Sequence, residues 1–154
     1  MRFRAHIDGA ARGNPGPAGA GVYVHAEDGL PAEEHFEALG HATNNVAEYR
    51  ALLLALDRAE RRGATEVWIE SDSLLLVEQI LGRFRVKAAH LQPLFADALR
   101  RSKAFGRFAI RHVRREQNVD ADRLANLGAD ESERLLAAAA GDAGPWGGDT
   151  APGR

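Results

Sequence analysis

The stretch NNVAEYRALLLALDRAERRGATEVWIESD, residues 44–72, decides the fold of this chain of 154 residues. Apolar side chains recur in its first part at intervals of three and four residues, which predicts a helix over Asn44–Arg62 that Gly63 ends. The run Val67-Trp68-Ile69 that follows is rich in β-branched and aromatic residues and predicts a strand. A helix that leads into a strand in this way is a crossover connection, so we expect the strand to lie parallel to one that precedes the helix.

Three further strands are predicted before the helix. Residues 2–9, 18–27 and 33–42 have the composition of strands, and the short connections between them carry glycine and proline. Such connections predict an antiparallel meander. Its first strand is the expected parallel neighbour of the strand at 67–69.

The remainder of the chain adds helices and one more strand. We predict helices over 73–81 and 91–103, a fifth strand over 105–113 and a last helix over 120–129. The expected fold class is therefore α/β, with a five-stranded mixed sheet in the order βββαβ, helices, βα, flanked by helices.

Length and composition indicate one domain followed by a tail. The chain is 45% hydrophobic and 27% charged, as globular domains are. From about residue 137 it becomes rich in alanine, glycine and proline, a composition that buries too little apolar surface to fold. We therefore predict a folded domain over 1–133 and a disordered tail over 134–154.

Several classes of protein are excluded by what the sequence lacks. It has 0 cysteines, which excludes disulfides, thiolate catalysis and cysteine-ligated zinc. No apolar run is long enough to cross a membrane, and the N-terminus alternates instead of forming the apolar stretch of a signal peptide. We therefore expect a cytoplasmic protein with no membrane partner.

Charge is distributed unevenly along the chain. The formal net charge of −2 argues against nonspecific coating of nucleic acid. Residues 100–115 nevertheless carry only basic charges. This segment is either a solvated helix face with a strand edge or a surface for phosphates, which arginine binds well.

Four carboxylates stand at positions that have ordinary structural explanations. Asp8 precedes a glycine as in a turn, and Asp72 precedes a predicted helix as an N-cap does. Glu48 could close a capping box with Asn45. Asp122 could complement the dipole of the last helix.

The predicted topology offers these carboxylates one shared explanation. The carboxyl ends of the parallel first and fourth strands bring Asp8 and Asp72 side by side, and the first turn of the long helix aims Glu48 between them. Three carboxylates this close repel one another unless divalent cations occupy the site, and ligands that are all oxygen favour Mg²⁺ or Mn²⁺. Two ions about 4 Å apart can activate water against a phosphodiester, which predicts hydrolysis of a nucleic-acid backbone.

Five motifs follow one another in the sequence. They are Ile7-Asp8-Gly9-Ala10, then Gly13-Asn14-Pro15-Gly16-Pro17-Ala18-Gly19, then Thr43-Asn44-Asn45-Val46-Ala47-Glu48-Tyr49, then Glu70-Ser71-Asp72-Ser73, and finally Arg115-Glu116-Gln117-Asn118 with Ala121-Asp122-Arg123-Leu124-Ala125. In order and spacing they resemble the motifs of ribonuclease H type 1, or ribonuclease HI, over about residues 2–130. This resemblance implies the ribonuclease H-like fold and endonucleolytic hydrolysis of the RNA strand of RNA–DNA hybrids.

The resemblance also implies roles for individual residues. The family's catalytic and metal-binding carboxylates fall on Asp8, Glu48, Asp72 and Asp122, which would hold two Mg²⁺ ions, with Mn²⁺ as the other candidate. Asn14, Asn44 and Asn45 would contact the 2′-hydroxyls and base edges of the RNA strand, unless they serve only in turns and caps. A monomer would suffice because all four carboxylates come from one domain, and double-stranded RNA is left open as a further substrate.

The chain departs from the family pattern in two places. Between Ser73 and Leu91, where some members insert a basic helix that grips the hybrid, the only basic residues are Arg83, Arg85 and Lys87. The chain therefore resembles the bacterial and archaeal branch that lacks this helix, and we expect weak, salt-sensitive binding that uses other phosphate contacts. The loop over 113–121 also lacks the histidine of some relatives, and nothing selects Arg115 or Glu116 as its replacement.

Two other functions are compatible with the predicted fold. A binding module for hybrids that has lost activity would keep the scaffold, but four carboxylates facing phosphates would only weaken its binding. Nucleases that act on DNA share the fold class, and the asparagine and glycine-proline motifs argue against them. The sequence thus favours a ribonuclease H over both alternatives.

Overall fold

The computed structural model describes residues 1–141, in which five strands and four α-helices follow one another. The elements are β1 Arg2–Ala11, β2 Gly16–Val24, β3 Glu33–Ala42, α1 Asn44–Arg61, β4 Glu66–Ser71, α2 Leu74–Ile80, α3 Gln92–Ser102, β5 Arg107–His112 and α4 Val119–Gly141, with short 3-10 turns at Ala89–Leu91 and Arg115–Gln117. No helix of this part of the chain is long and apolar enough to cross a membrane.

The five strands form one mixed sheet in the spatial order β3-β2-β1-β4-β5. β2 pairs antiparallel with both β1 and β3, whereas β4 pairs parallel with β1 and with β5. The predicted α/β fold class, the meander and the crossover through α1 are therefore confirmed. β1 lies at the centre of the sheet, with the carboxyl ends of β1 and β4 adjacent.

The two faces of the sheet are covered by different helices. Phe3, Ala5 and Ile7 of β1 are fully buried in the main core, which they share with apolar residues of α1, α2 and α3. The opposite face packs against α4 over β1, β2 and β3. This second contact is close because Gly19 and Gly21 present no side chain: a Cβ on Gly21 would lie 2.4 Å from the backbone nitrogen of Ala125.

Helix caps differ from those that the sequence suggested. The N-cap of α1 is Thr43, whose hydroxyl accepts a hydrogen bond from the amide of Val46, so Asn45 closes no capping box with Glu48. α2 is capped by Ser73 in the same way, which leaves Asp72 without a capping role. Asp8 lies inside β1 and is buried, so the turn explanation for it is also wrong.

The last helix is longer than predicted. We expected it to end near residue 129, yet α4 continues to Gly141 and includes the first residues of the predicted tail. The reason is local: Leu135, Leu136 and the alanines that follow are strong helix formers, whereas the prediction of a tail counted these alanines together with the glycines and prolines beyond them. Residues 142–154 of the predicted tail lie outside the described residues, and a domain boundary at 133/134 stays a prediction.

Candidate active site

Three carboxylates converge where the carboxyl ends of β1 and β4 meet the start of α1. One carboxylate oxygen from each of Asp8, Glu48 and Asp72 lies within 4.8 Å of the other two. Ile7 pairs with Ser71 across the parallel strands, so the two aspartates that follow them are neighbours. The sequence therefore predicted this cluster and the strand pair that creates it.

The approach of Glu48 depends on a glycine in β1. A Cβ on Gly9 would lie 2.4 Å from the backbone nitrogen of Glu48 and 2.4 Å from the carbonyl carbon of Ala47. Any larger residue would therefore push the first turn of α1 away from the strand. Gly9 therefore positions α1 and, with it, Glu48. This role was not predicted from the sequence, although a glycine directly after Asp8 could have indicated it.

Asp122, on the first turn of α4, lies beside Asp8 but outside the group of three carboxylates that could share one ion. It lies close enough to Asp8 for its charge and a hydrogen bond to raise the pKa of the Asp8 carboxyl. The start of the helix is held by Asn118, a buried residue whose amide Nδ2 donates to the carbonyl of Ile7 at 2.9 Å. Asn118 stood in one of the sequence motifs, but its anchoring role could not be recognised before the contact with β1 was known.

Burial and mutual repulsion make this cluster costly to ionise. Burial, then the charges of Asp72 and Asp122, raise the pKa of Asp8 to about 8. Burial, then the charges of Asp8 and Asp72, raise the pKa of Glu48 well above its usual range. Glu48 Oε2 is buried and has no hydrogen-bond partner. A divalent cation would supply both the missing partner and the missing positive charge, so these residues fit a metal site.

The predicted RNA-contacting asparagines lie together beside this cluster. Asn14 Oδ1 accepts a hydrogen bond from the amide of Asn44 at 3.0 Å, and Asn44 Oδ1 accepts one from the amide of Ala11 at 3.1 Å. These bonds tie the glycine-proline loop to the start of α1. Asn45 is exposed on the first turn of that helix. The described residues therefore place all three at one rim of the site.

The basic segment over 100–115 does not form one surface. Arg100 and Arg101 of α3 pair with Asp97 and Asp57, on the side of the sheet that carries the main core. Arg111 lies on the other face of the sheet and pairs with Glu70. The segment thus divides between a solvated helix and the outer face of β5.

The two expected departures are visible in the fold. Between α2 and α3 the chain forms only the 3-10 turn Ala89–Leu91, so the additional basic helix is missing from residues 1–141. The loop before Asp122 contains the exposed 3-10 turn Arg115–Gln117, and His112 lies in β5 as expected. The geometry gives no reason to prefer Arg115 or Glu116 as a substitute for the absent histidine.

A second group of potential metal ligands lies on the outer face of the sheet. His6, His25 and Glu70 each offer a ligand atom within 4.8 Å of the others. Arg4 and Arg111, however, both pair with the Glu70 carboxylate. With neutral histidines these two guanidiniums leave the group with net positive charge, which disfavours a cation there.

A mixed sheet in this order, with carboxylates gathered at the ends of its central parallel strands, defines the ribonuclease H-like class. The chain matches the family described as "Reverse transcriptase-like" over residues 6–128. It is 37% identical to ribonuclease HI of Halobacterium salinarum over 131 residues, which are 85% of this chain and 66% of that protein. The chain therefore belongs to the ribonuclease H family, in the type 1 branch.

Other relatives agree with this placement. The chain is 44% identical to the bifunctional protein Rv2228c of Mycobacterium tuberculosis over 94% of its own length, but it spans only 39% of that protein. The solved N-terminal RNase H domain of Rv2228c superposes with a TM-score of 0.83 at 42% identity, covering 88% of this chain and 99% of that one. LC11-RNase H1 from compost, solved in complex with an RNA/DNA hybrid, gives a TM-score of 0.77 at 35% identity, covering 84% and 98%.

Proposed function

We propose that this chain hydrolyses the RNA strand of RNA–DNA hybrids endonucleolytically, at the site formed by Asp8, Glu48, Asp72 and Asp122. The observation that carries the proposal is the convergence of Asp8, Glu48 and Asp72, together with the buried oxygen of Glu48 that has no hydrogen-bond partner within residues 1–141. The complex of LC11-RNase H1 with a hybrid supports the substrate class.

The family depends on metal ions, and we propose two Mg²⁺ ions held by the four carboxylates, with Mn²⁺ as the alternative. When bound, such ions lower the pKa of a water nucleophile and stabilise the leaving oxygen of the phosphodiester. Asp8, Glu48 and Asp72, whose ligand oxygens lie within 4.8 Å of one another, would hold the metal. Asp122, on the first turn of a separate helix, completes the set from the opposite face of the sheet.

Recognition of the RNA strand is assigned to Asn14, Asn44 and Asn45. A 2′-hydroxyl both donates and accepts hydrogen bonds, and an amide side chain offers both partners. The hydrogen bonds of the Asn14 and Asn44 side chains hold the loop against the start of α1, so these two amides are ordered before RNA arrives. Action as a monomer, action on double-stranded RNA and a cytoplasmic location stay predictions.

The test compares cleavage of a labelled RNA–DNA hybrid with that of single-stranded RNA, double-stranded RNA and duplex DNA, in Mg²⁺, Mn²⁺ or chelator. We expect cutting of the hybrid's RNA strand that requires metal and falls at least about a hundredfold in Asp8→Asn, because the lost ligand contributes several kcal/mol of charge stabilisation. Asp130→Asn is the matched control, since that side chain is 60% exposed on α4.

Two outcomes would replace the proposal. Wild-type protein that binds the hybrid but cuts nothing with either metal would be a binding module. Cutting of duplex DNA in preference to the hybrid would assign the chain to the nucleases that act on DNA.

A further inference from the structure

One face of the sheet is left uncovered next to the carboxylate cluster. α4 packs over β1, β2 and β3, whereas Arg107, Ala109 and Arg111 of β5 are exposed on that same side. We call the surface formed by Arg2, Arg4, Trp68, Arg107, Ala109 and Arg111 the open face. An exposed alanine in the middle of a strand shows that no element of residues 1–141 covers it.

The open face combines an aromatic ring with guanidinium groups. The Cζ atoms of Arg2 and Arg107 lie 5.1 and 5.7 Å from the centre of the Trp68 ring. The indole nitrogen of Trp68 donates to Glu66 at 2.8 Å, which fixes the orientation of the ring. Arg2 pairs with Glu27, and Arg4 and Arg111 pair with Glu70, whereas Arg107 takes part in no ion pair within residues 1–141, so its charge is available to a ligand.

Two adjoining cavities extend from this surface towards the carboxylates. A cavity of about 420 Å³ is lined by Arg2, Trp68 and Arg107, among others, and a second of about 410 Å³ by His6, His112 and Gln117. They share Arg4, Glu70 and Arg111 as a common wall. Asp8 follows His6 on the same face of β1, and residues on one face of a strand are about 6.7 Å apart. The concave surface therefore leads to the candidate active site.

We propose that the open face binds a single-stranded extension of the nucleic acid whose hybrid part occupies the carboxylate site. Positively charged grooves with aromatic side chains are what proteins use to hold single strands, because every base can stack on a ring while arginines meet the phosphates. Continuity with the active site selects a nucleic acid over an acidic peptide as the occupant. The inference rests on the proposed function for the location of the hybrid.

The test measures dissociation constants in the presence of chelator, so that no strand is cut. The full chain is titrated against a blunt hybrid and against the same hybrid with a short single-stranded extension, placed in turn at each 5′ and 3′ end. We expect at least one extension to strengthen binding about fivefold, the lower end of what stacking of one base contributes. Arg107→Glu should reduce that ratio to about one.

Arg61→Glu is the matched control, because it makes the same charge change on α1, with a side chain 67% exposed on the other side of the sheet. It should keep the fivefold ratio. Tryptophan fluorescence provides a second readout that does not depend on the charge variant. The chain has 2 tryptophans, so Trp68 is the only one left in the Trp146→Phe variant. Binding of the favoured extension should quench the fluorescence of Trp68.

The proposal is overturned if no extension changes the affinity or the Trp68 fluorescence. It is equally overturned if an acidic peptide quenches Trp68 while oligonucleotides do not, since the open face would then bind protein. Cleavage of the blunt hybrid tests the proposed function separately, so failure of one proposal can be told from failure of the other.

Discussion

Asp8 combines a cost in folding stability with the role that we propose for it at the metal site. Asp8 is 5% exposed, and its burial, followed by the charges of Asp72 and Asp122, raises the pKa of its carboxyl to about 8. A carboxylate buried in this way lowers the stability of the free protein, and a bound cation offsets that cost. Carboxylates whose pKa is shifted by burial and like charges are concentrated at functional sites. The free protein is therefore expected to gain stability when this charge is removed.

The Asp8→Asn variant should be more stable than the wild type in chelator at pH 8, by about 2 kcal/mol or about 5 °C in Tm. The folded-state pKa of Asp8 is raised, so the unfolded chain releases this proton first, and wild-type stability falls as pH rises from about 4 to about 8. The difference in stability between the variant and the wild type should become smaller as the pH falls towards 4. Thermal unfolding followed by circular dichroism at several pH values measures it.

Added Mg²⁺ provides the complementary measurement. It should raise the Tm of the wild type and have much less effect on Asp8→Asn, because a ligand that binds only the folded state stabilises it. A variant that is less stable than the wild type at pH 8, or a wild type indifferent to Mg²⁺, would contradict this account of the cluster.

At the scale of elements, glycines set how closely the helices approach the sheet. Gly9 admits the first turn of α1, and Gly21 admits α4. A Cβ on Gly21 would meet only backbone atoms of α4, including the carbonyl oxygen of Ala121 at 2.5 Å, next to Asp122. A flexible side chain could move aside, but a helix backbone must shift as a whole.

Gly21→Ala should therefore displace Asp122 and lower hybrid cleavage about tenfold or more, with a loss of about 2 kcal/mol in stability from overpacking. Steady-state cleavage assays and denaturant unfolding measure the two effects. Gly141→Ala is the control, since a Cβ there would meet nothing within 4 Å. Unchanged activity in Gly21→Ala would show that the position of Asp122 does not depend on this contact.

At the scale of the whole molecule, α4 joins the sheet to the end of the described chain. Ser132 is the last buried residue of that part, and its hydroxyl donates to the carbonyl of Ala18 at 2.6 Å and accepts from the amide of Gly40 at 2.9 Å. The residues of α4 beyond it are exposed. The packed part of the described molecule thus ends close to the predicted boundary at 133.

A chain that ends after Glu133 should keep its hybrid cleavage and a Tm within about 3 °C of the full chain, because surface helix with no buried contact contributes little stability. A chain that ends after Gly128 should lose several kcal/mol, since it lacks the buried Ala129 and Ser132. Thermal unfolding and cleavage assays compare these two shortened chains with the full chain. Loss of activity in the chain that ends after Glu133 would place the end of α4 in the functional domain.

The sequence by itself determined the order of the elements, the parallel pairing of β1 with β4 and the convergence of Asp8, Glu48 and Asp72. These follow from local periodicity, from turn residues and from the right-handed crossover, all of which act over short stretches of chain. The same local reasoning failed for α4, where alanines were taken for a tail, and for the caps, where a neighbouring Thr43 or Ser73 outcompeted Asn45 and Asp72.

Only the tertiary structure decided how the distant parts meet. Asn118 bonds to Ile7 across 111 residues of sequence, and Gly21 is shown to be a contact point only once α4 is seen against it. The open face likewise exists because α4 packs over β1, β2 and β3 and does not extend over the same side of β4 and β5. Such features depend on distances between segments remote in sequence, which are set by packing of the whole molecule and leave no periodic signal in any one segment.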